Sequence, residues 1–378
     1  MKILICNEWL FGGGAETVMY TLVERLLKDG HDITILASPK SDDEANTAIY
    51  RNVHYRRMRL PVIKGKPYSP RVICNLVARK LYRLFGLIRI KFYKYDLAIA
   101  MKEGVHLKDT ARVRAKRRIA WIHCDLQFFS CIILDVFHSF KTANKVLSKK
   151  YEKVICVSKT AEKGYLETIG DTNNLCLRYN PIDWRRIRTL SEEECAFRKD
   201  PEKPLIITLG RLVSTKNYIT LLKACNLLKD ELSFNLWIIG GGPEYDLLDE
   251  YIHSNNLCFV KLFGDISNPY PYVKQGDLFV NTSVSESYCL VIQESLILGV
   301  PVVAVKCPGV EESLDTRFGV LFENSVEELA KNIQDMVCTP GKLLSYRSRI
   351  QEEYSVSSIY EDRLEDICKL IEASDEVV

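Results

Sequence analysis

No apolar run in this 378-residue sequence approaches the roughly 20 residues that a helix needs to span a bilayer. The opening residues Met1–Asn7 read as a short strand, too short for the apolar region of a secretory leader. The 13 cysteines are odd in number and scattered, and no two stand at Cys-x-x-Cys spacing. That excludes the usual structural zinc patterns and reads as reduced core thiols in a cytoplasmic protein. A Gly-x-Gly-x-x-Gly fingerprint is also missing, so nothing indicates a dinucleotide cofactor.

What is present is enough apolar material, 47% of residues, to build full cores. The length suggests two or three domains. The net charge is only +3, but it is unevenly placed. Residues 1–185 carry 33 Lys+Arg against 18 Asp+Glu, and the remainder carries 19 against 31. A basic first half suggests an anionic partner, either nucleic acid or an anionic membrane surface, and a merely solvated basic face is the plain alternative. Within it, Arg71–Lys94 sets Arg79, Lys80, Arg83, Arg89 and Lys91 among apolar and aromatic residues. Such a stretch suits a helix lying in a membrane interface as well as one packed on a sheet.

The pattern of the whole chain is strand, loop, helix, repeated. Ile3–Ile5 is a buried strand, Gly12-Gly13-Gly14-Ala15-Glu16 opens a helix to about Lys28, and Asp32–Leu36 is the next strand. Strands follow at 95–100 and 119–122, the latter ending in His123. A charged helical linker at 184–199 then leads to a second series, at 204–209, 234–239 and 260–264. Alternation of this kind predicts α/β domains with doubly wound parallel sheets, in which ligands sit beyond the carboxyl ends of the strands. His123 lies at such an end, although a lone His there is more simply a packed residue bonded to a carbonyl. Arg211 and Lys216 lie at another such end, where a guanidinium fork and an ammonium can neutralise phosphate oxygens.

The stretch Asn281–Val305 holds the densest signal. A buried strand ends near Val280, a polar loop carries Glu286, and a helix spans Leu290–Leu298. Gly299 and Pro301 stop that helix before the strand Val302–Val305. The helix is apolar nearly all round, so Glu294 within it is predicted to be buried and to need a partner. Carboxylates beside a helix N-terminus can accept bonds from sugar or ribose hydroxyls while the helix end receives phosphate. Taken singly, each Glu is more simply an acidic first-turn residue or a solvated one.

In combination these residues resemble glycosyltransferase family 4, retaining nucleotide-sugar enzymes of the GT-B fold. The family's Glu-x7-Glu is met by Glu286 and Glu294, followed by Gly299-Val300-Pro301-Val302-Val303-Ala304. Gly210-Arg211-Leu212 with Lys216 resembles its diphosphate clamp, Gly12-Gly13-Gly14 its N-terminal glycine loop, and Trp121-Ile122-His123 its active-site histidine. Two positions depart from the pattern: Ser287 stands where glycine is usual, and Cys289 at a small-residue position. The resemblance implies two Rossmann-like domains facing across a cleft, 1–183 for the acceptor and 184–356 for the donor, with 357–378 returning to the first. It implies donor contacts from Gly13, Gly14, Arg211, Lys216, Glu286, Ser287, Tyr288, Cys289, Leu290 and Glu294. His123, Glu286, Arg211 and Lys216 would serve the reaction, and Glu16 would meet the acceptor.

The implied reaction moves a sugar from a nucleotide-sugar donor, taken as UDP-linked because UDP is the commonest carrier, to a hydroxyl of a glycan or lipid-linked acceptor. A polysaccharide, lipopolysaccharide or glycolipid pathway is the expected setting. No Asp-x-Asp occurs, the triplet with which metal-dependent GT-A enzymes hold a cation, so no metal or other cofactor is expected. The expected location is cytoplasmic, with peripheral contact at the inner membrane face through the basic half. Nucleic acid is not expected as a partner. An epimerase or hydrolase on the same fold, or a non-catalytic protein that binds anions or nucleic acid, stays open as the alternative.

Overall fold

The computed structural model describes residues 1–7, 13–37, 53–57 and 93–373. The basic stretch 71–94 lies outside these, apart from its last two residues, as does most of 40–70. The chain forms two compact units. One is Met1–Ile182 joined by the chain from Glu361 onward, and the other is Asp183–Tyr360.

The first unit is built on seven parallel strands in the order β3-β2-β1-β4-β5-β6-β7. These are β1 Lys2–Cys6, β2 Asp32–Ala37, β3 His54–Arg57, β4 Tyr95–Ala100, β5 Ala115–Ile122, β6 Lys153–Cys156 and β7 Leu175–Leu177. The second has six parallel strands in the order β10-β9-β8-β11-β12-β13. These are β8 Leu205–Leu209, β9 Asn235–Ile239, β10 Val260–Gly264, β11 Leu278–Asn281, β12 Val302–Val305 and β13 Gly319–Phe322. Both sheets wind outwards in two directions from a central pair. The order reverses between β1 and β4 in one and between β8 and β11 in the other, and each reversal opens a crevice at the carboxyl edge.

Strand sequences in the second unit are continuous apolar runs because helices cover both faces. Ile206, Leu236, Ile238, Leu278, Val280, Val303 and Val305 face one core, with the Tyr218–Leu228, Tyr245–Ser254 and Val326–Cys338 helices. Their neighbours Leu205, Ile207, Trp237, Ile239, Phe279, Val302 and Ala304 face the other, with the Leu290–Ile297 and Pro308–Ser313 helices. The period of two in each strand thus divides one run of residues between two cores. The predicted linker helix is shorter than expected. It starts at Trp184, where the Asp183 carboxylate accepts the Arg186 amide at 2.9 Å, and ends at Ser191.

The last helix, Val356–Glu372, ends in the first unit, where buried Arg117 caps it. Its guanidinium donates to the carbonyls of Ile371 (2.7 Å) and Leu370 (3.1 Å) and pairs with Glu152 (2.6 Å). A cation at a helix C-terminus satisfies orphan carbonyls and meets the negative end of the dipole. Arg118 donates to the Val113 carbonyl and Lys116 pairs with Asp96. Three cations of the basic 112–118 run therefore have partners within the fold. Among the described residues, no helix is long and apolar enough to cross a membrane.

Gly240, at the end of β9, has φ +134° and lies against Gly210, so that a Cβ there would stand 2.0 Å from the Gly210 carbonyl oxygen. Backbone touches backbone here, and neither side can yield. Gly240→Ala is expected to cost about 2–4 kcal/mol, read as a lowered denaturant midpoint at unchanged slope. A midpoint equal to wild type would contradict this packing.

Candidate active site

At the reversal in the first sheet, Gly13 and Gly14 are exposed at the start of the Gly14–Lys28 helix. Glu16, in its first turn, is buried, and its Oε1 lies 3.3 Å from Lys102 Nζ, two residues beyond β4. The next residue, Glu103, is also buried and accepts the His123 backbone N–H at 2.9 Å. This bond ties the end of β5 to the end of β4. Burial, followed by the nearby Lys102 charge, pushes the His123 imidazole down to about 3, against a bond to the Met101 backbone. The ring is therefore neutral at physiological pH, and its Nε2 is buried with no partner among the described residues. A bare ring nitrogen of this kind can accept a hydroxyl proton.

At the reversal in the second sheet, the loops after β8 and β11 are laced together. Val284 N–H donates to the Thr215 carbonyl (2.9 Å), and Thr282 Oγ1 donates to the Lys216 carbonyl (2.8 Å). These bonds bring Lys216 Nζ into an ion pair with Glu286 Oε1. Burial acts against the ammonium, but Glu286, with Cys289 and Tyr218, outweighs it and raises the Lys216 pKa. Arg211 stands apart from this pair. It is exposed, and its guanidinium has no hydrogen bond or ion pair with a described residue.

The Glu286–Cys289 loop lies directly on Gly309, where a Cβ would stand 2.1 Å from the Glu286 carbonyl oxygen. Ser287, Tyr288 and Cys289 are buried, and the Cys289 N–H donates to Ser313 Oγ at 2.9 Å. Burial first, then the Glu286 charge, holds the Cys289 thiol well above its ordinary range, so it is no nucleophile. Cys289 precedes the Leu290–Ile297 helix, and no described side chain caps that end. The Ile292 amide turns back on the Cys289 carbonyl at 3.2 Å, and the amides of Leu290 and Val291 are the ones left to meet an anion.

One turn further, Glu294 is 8% exposed, and its Oε1 accepts from Tyr270 Oη at 3.4 Å. Burial raises its pKa to about 7, with the Tyr270 bond acting against that. The predicted burial of Glu294 thus holds, and its partner is a tyrosine from another short helix, Tyr270–Val273. The second unit brings together Lys216, Glu286, Ser287, Cys289, Leu290 and Glu294. The first brings together Gly13, Glu16 and His123. Sequence reasoning missed Lys102, Glu103 and Tyr270. Only Lys102-Glu103, directly after a strand at the reversal point, carried a positional signal.

An acid whose folded pKa exceeds its unfolded value loses stability as pH rises from the unfolded value to the folded one. For Glu294 the window runs from about 4.5 to about 7, and the deficit above it is about 3 kcal/mol. Glu294→Gln is expected to be more stable than wild type at pH 8 and to lose that advantage near pH 4.5. Thermal melts of both proteins at the two pH values check this, and a pH-independent difference would contradict it.

Residues 12–186 match the family model described as Glycosyltransferase Family 4, and residues 191–353 match the one described as Glycosyl transferases group 1. An uncharacterized glycosyltransferase of Haemophilus influenzae is 25% identical over 364 residues, which are 93% of this chain and 95% of that protein. Human phosphatidylinositol N-acetylglucosaminyltransferase is 24% identical in one of its subunits, over 351 residues that are 86% of this chain and 66% of that one. Among solved structures, Anabaena HepE in complex with UDP and glucose aligns with a TM-score of 0.72 at 18% identity, over 99% of this chain and 100% of its own. The two parallel sheets share the GT-B fold with that structure, and with both halves matched the chain belongs to glycosyltransferase family 4.

Proposed function

We propose that the chain transfers a glycosyl group from a UDP-linked sugar to a hydroxyl of a lipid-linked or polysaccharide acceptor, with retention of anomeric configuration. The observation that carries this reading is the joint placement of Lys216, Glu286, Glu294 and an uncapped helix end at one reversal point. A nucleoside diphosphate sugar presents the matching groups in order: ribose hydroxyls, a diphosphate, then sugar hydroxyls.

In this reading Glu294 accepts bonds from the ribose hydroxyls. The diphosphate meets the amides at Leu290, Lys216 and the free guanidinium of Arg211. Negative charge grows on the leaving phosphate as the anomeric C–O bond breaks, and preplaced cations and amides stabilise it most in the transition state. Glu286 holds hydroxyls of the donor sugar. The acceptor oxygen bonds to the anomeric carbon on the face the phosphate leaves, and its proton passes to a phosphate oxygen. Two cations supply the charge that a metal ion supplies elsewhere, so the reaction needs none. His123 Nε2, being neutral and bare, accepts a substrate hydroxyl rather than donating a proton. Gly13, Gly14 and Glu16 lie where the acceptor or the donor diphosphate approaches the first sheet.

The UDP assignment leans on HepE, which binds UDP and glucose, and the lipid-linked acceptor on the human phosphatidylinositol enzyme. The basic first half suits an acceptor on an anionic membrane surface. Calorimetry with UDP- and GDP-linked sugars in the presence of EDTA tests the donor assignment. Wild type is expected to bind a UDP sugar, Glu294→Ala to lose at least tenfold in affinity, and Lys216→Ala to lose about 100-fold in turnover. If the folded wild type binds none of the panel, the donor reading is wrong.

A further inference from the structure

The Leu290–Ile297 helix is apolar except for Gln293, Glu294 and Ser295, and all three are buried. Ser295 Oγ donates locally to the Val300 carbonyl at 3.0 Å. Glu294 belongs to the donor site. Gln293 is 4% exposed on a helix whose other core positions are Ile292, Leu296 and Ile297. A leucine would fill that space without the desolvation cost of a buried amide.

Both ends of the amide are engaged. Its Oε1 accepts from Tyr354 Oη at 2.9 Å and from Tyr360 Oη at 2.5 Å, while the two phenol oxygens lie 2.6 Å apart. Two phenol protons can serve only two of these three contacts at a time. On the other side, Gln293 Nε2 donates to the Ser313 carbonyl. Ser313 Oγ donates to the Gly309 carbonyl at 2.5 Å and accepts the Cys289 N–H. Cys289 ends the Glu286–Cys289 loop, and Gly309 packs against the Glu286 carbonyl. A buried relay therefore runs from Tyr360, inside the last helix, to the backbone of the donor loop. Breaking either link through Ser313 leaves a neighbour unsatisfied in a dry core, which makes such a chain cooperative.

We propose that Gln293 is a positioning residue for glycosyl transfer, holding the Glu286–Cys289 loop in its reactive placement through Ser313 and anchored by Tyr354 and Tyr360. This rests on the donor-site reading above. The relay ends on the part of the loop that carries Glu286, whereas Glu294 sits a turn away on the helix. Its loss should therefore fall on the sugar end of the donor more than on the nucleotide end.

The test compares wild type, Gln293→Met, Tyr360→Phe, Ser313→Ala and the Tyr360→Phe/Ser313→Ala double variant. Affinities for UDP-glucose and UDP are measured by calorimetry, or for the GDP pair if guanine is taken, together with turnover and melting temperature. Tyr360→Phe removes one hydroxyl and keeps the ring, so it guards against simple misfolding. The expected result is a change of about threefold or less in nucleotide affinity. Turnover and the affinity gained from the sugar should each fall about tenfold, and the two single variants should be non-additive although they do not touch. A side chain that merely fills the core would lower the melting temperature and leave the sugar-to-nucleotide ratio at the wild-type value. That ratio and wild-type turnover in both Gln293→Met and Tyr360→Phe would overturn the proposal while leaving the donor site standing. Failure of wild type to bind any nucleotide sugar would overturn the donor site and this proposal together.

Discussion

The ion pair between Lys216 and Glu286 is the interaction on which the proposed donor site depends. Each residue comes from a different loop, and the loops are brought together by hydrogen bonds between Val284 and Thr215 and between Thr282 and Lys216. The pair keeps two opposite charges half-buried where either alone would be costly. It also sets the charge that an incoming donor meets. Lys216 is neutralised, and of the two proposed diphosphate-binding cations Arg211 is the one whose charge is unpaired among the described residues. A diphosphate arriving there would exchange Glu286 for phosphate oxygens on Lys216 and release the carboxylate towards the sugar. One residue pair would then serve as a closed bond before the donor arrives and as two separate contacts once it is bound.

That pair exists because the sheet reverses direction between β8 and β11. The reversal separates the helices that follow the two strands and leaves both loops at one edge of the sheet. The first unit repeats the device between β1 and β4, which places Glu16 beside Lys102 and sets His123 one strand further on, its backbone held by Glu103. In both units the chain reverses at such an edge, and in the second the glycines act at contacts of backbone with backbone. Gly240 meets Gly210 beside the cation loop, and Gly309 carries the Glu286 loop. These are positions where charge placement depends on how closely two chain segments approach.

Much of this was legible in the sequence. Continuous apolar runs marked the parallel strands, and Gly299 with Pro301 marked the end of the Leu290–Ile297 helix. The same apolar pattern predicted that Glu294 would be buried. What was not legible is pairing over long sequence distance. Nothing local tells that Tyr270 reaches Glu294, that Glu103 holds the His123 backbone, or that Gln293 joins Tyr360 to Ser313. The basic 112–118 run shows the opposite limit. Its charge was visible, but its use was not, since Arg117 caps the final helix and Lys116 and Arg118 are held within the first unit. Counting charges along a chain does not separate those that meet partners inside the fold from those that face outwards.

The most direct test of the exchange at Lys216 uses UDP, which has the diphosphate but no sugar. If Glu286 holds Lys216 in the free protein, Glu286→Gln releases the ammonium for phosphate. UDP should then bind to Glu286→Gln at least as tightly as to wild type, while UDP-glucose loses about tenfold or more. The GDP pair replaces these ligands if the chain takes guanine. Equal weakening of UDP and UDP-glucose by Glu286→Gln would contradict the exchange and leave the pair as a fixed strut of the loop.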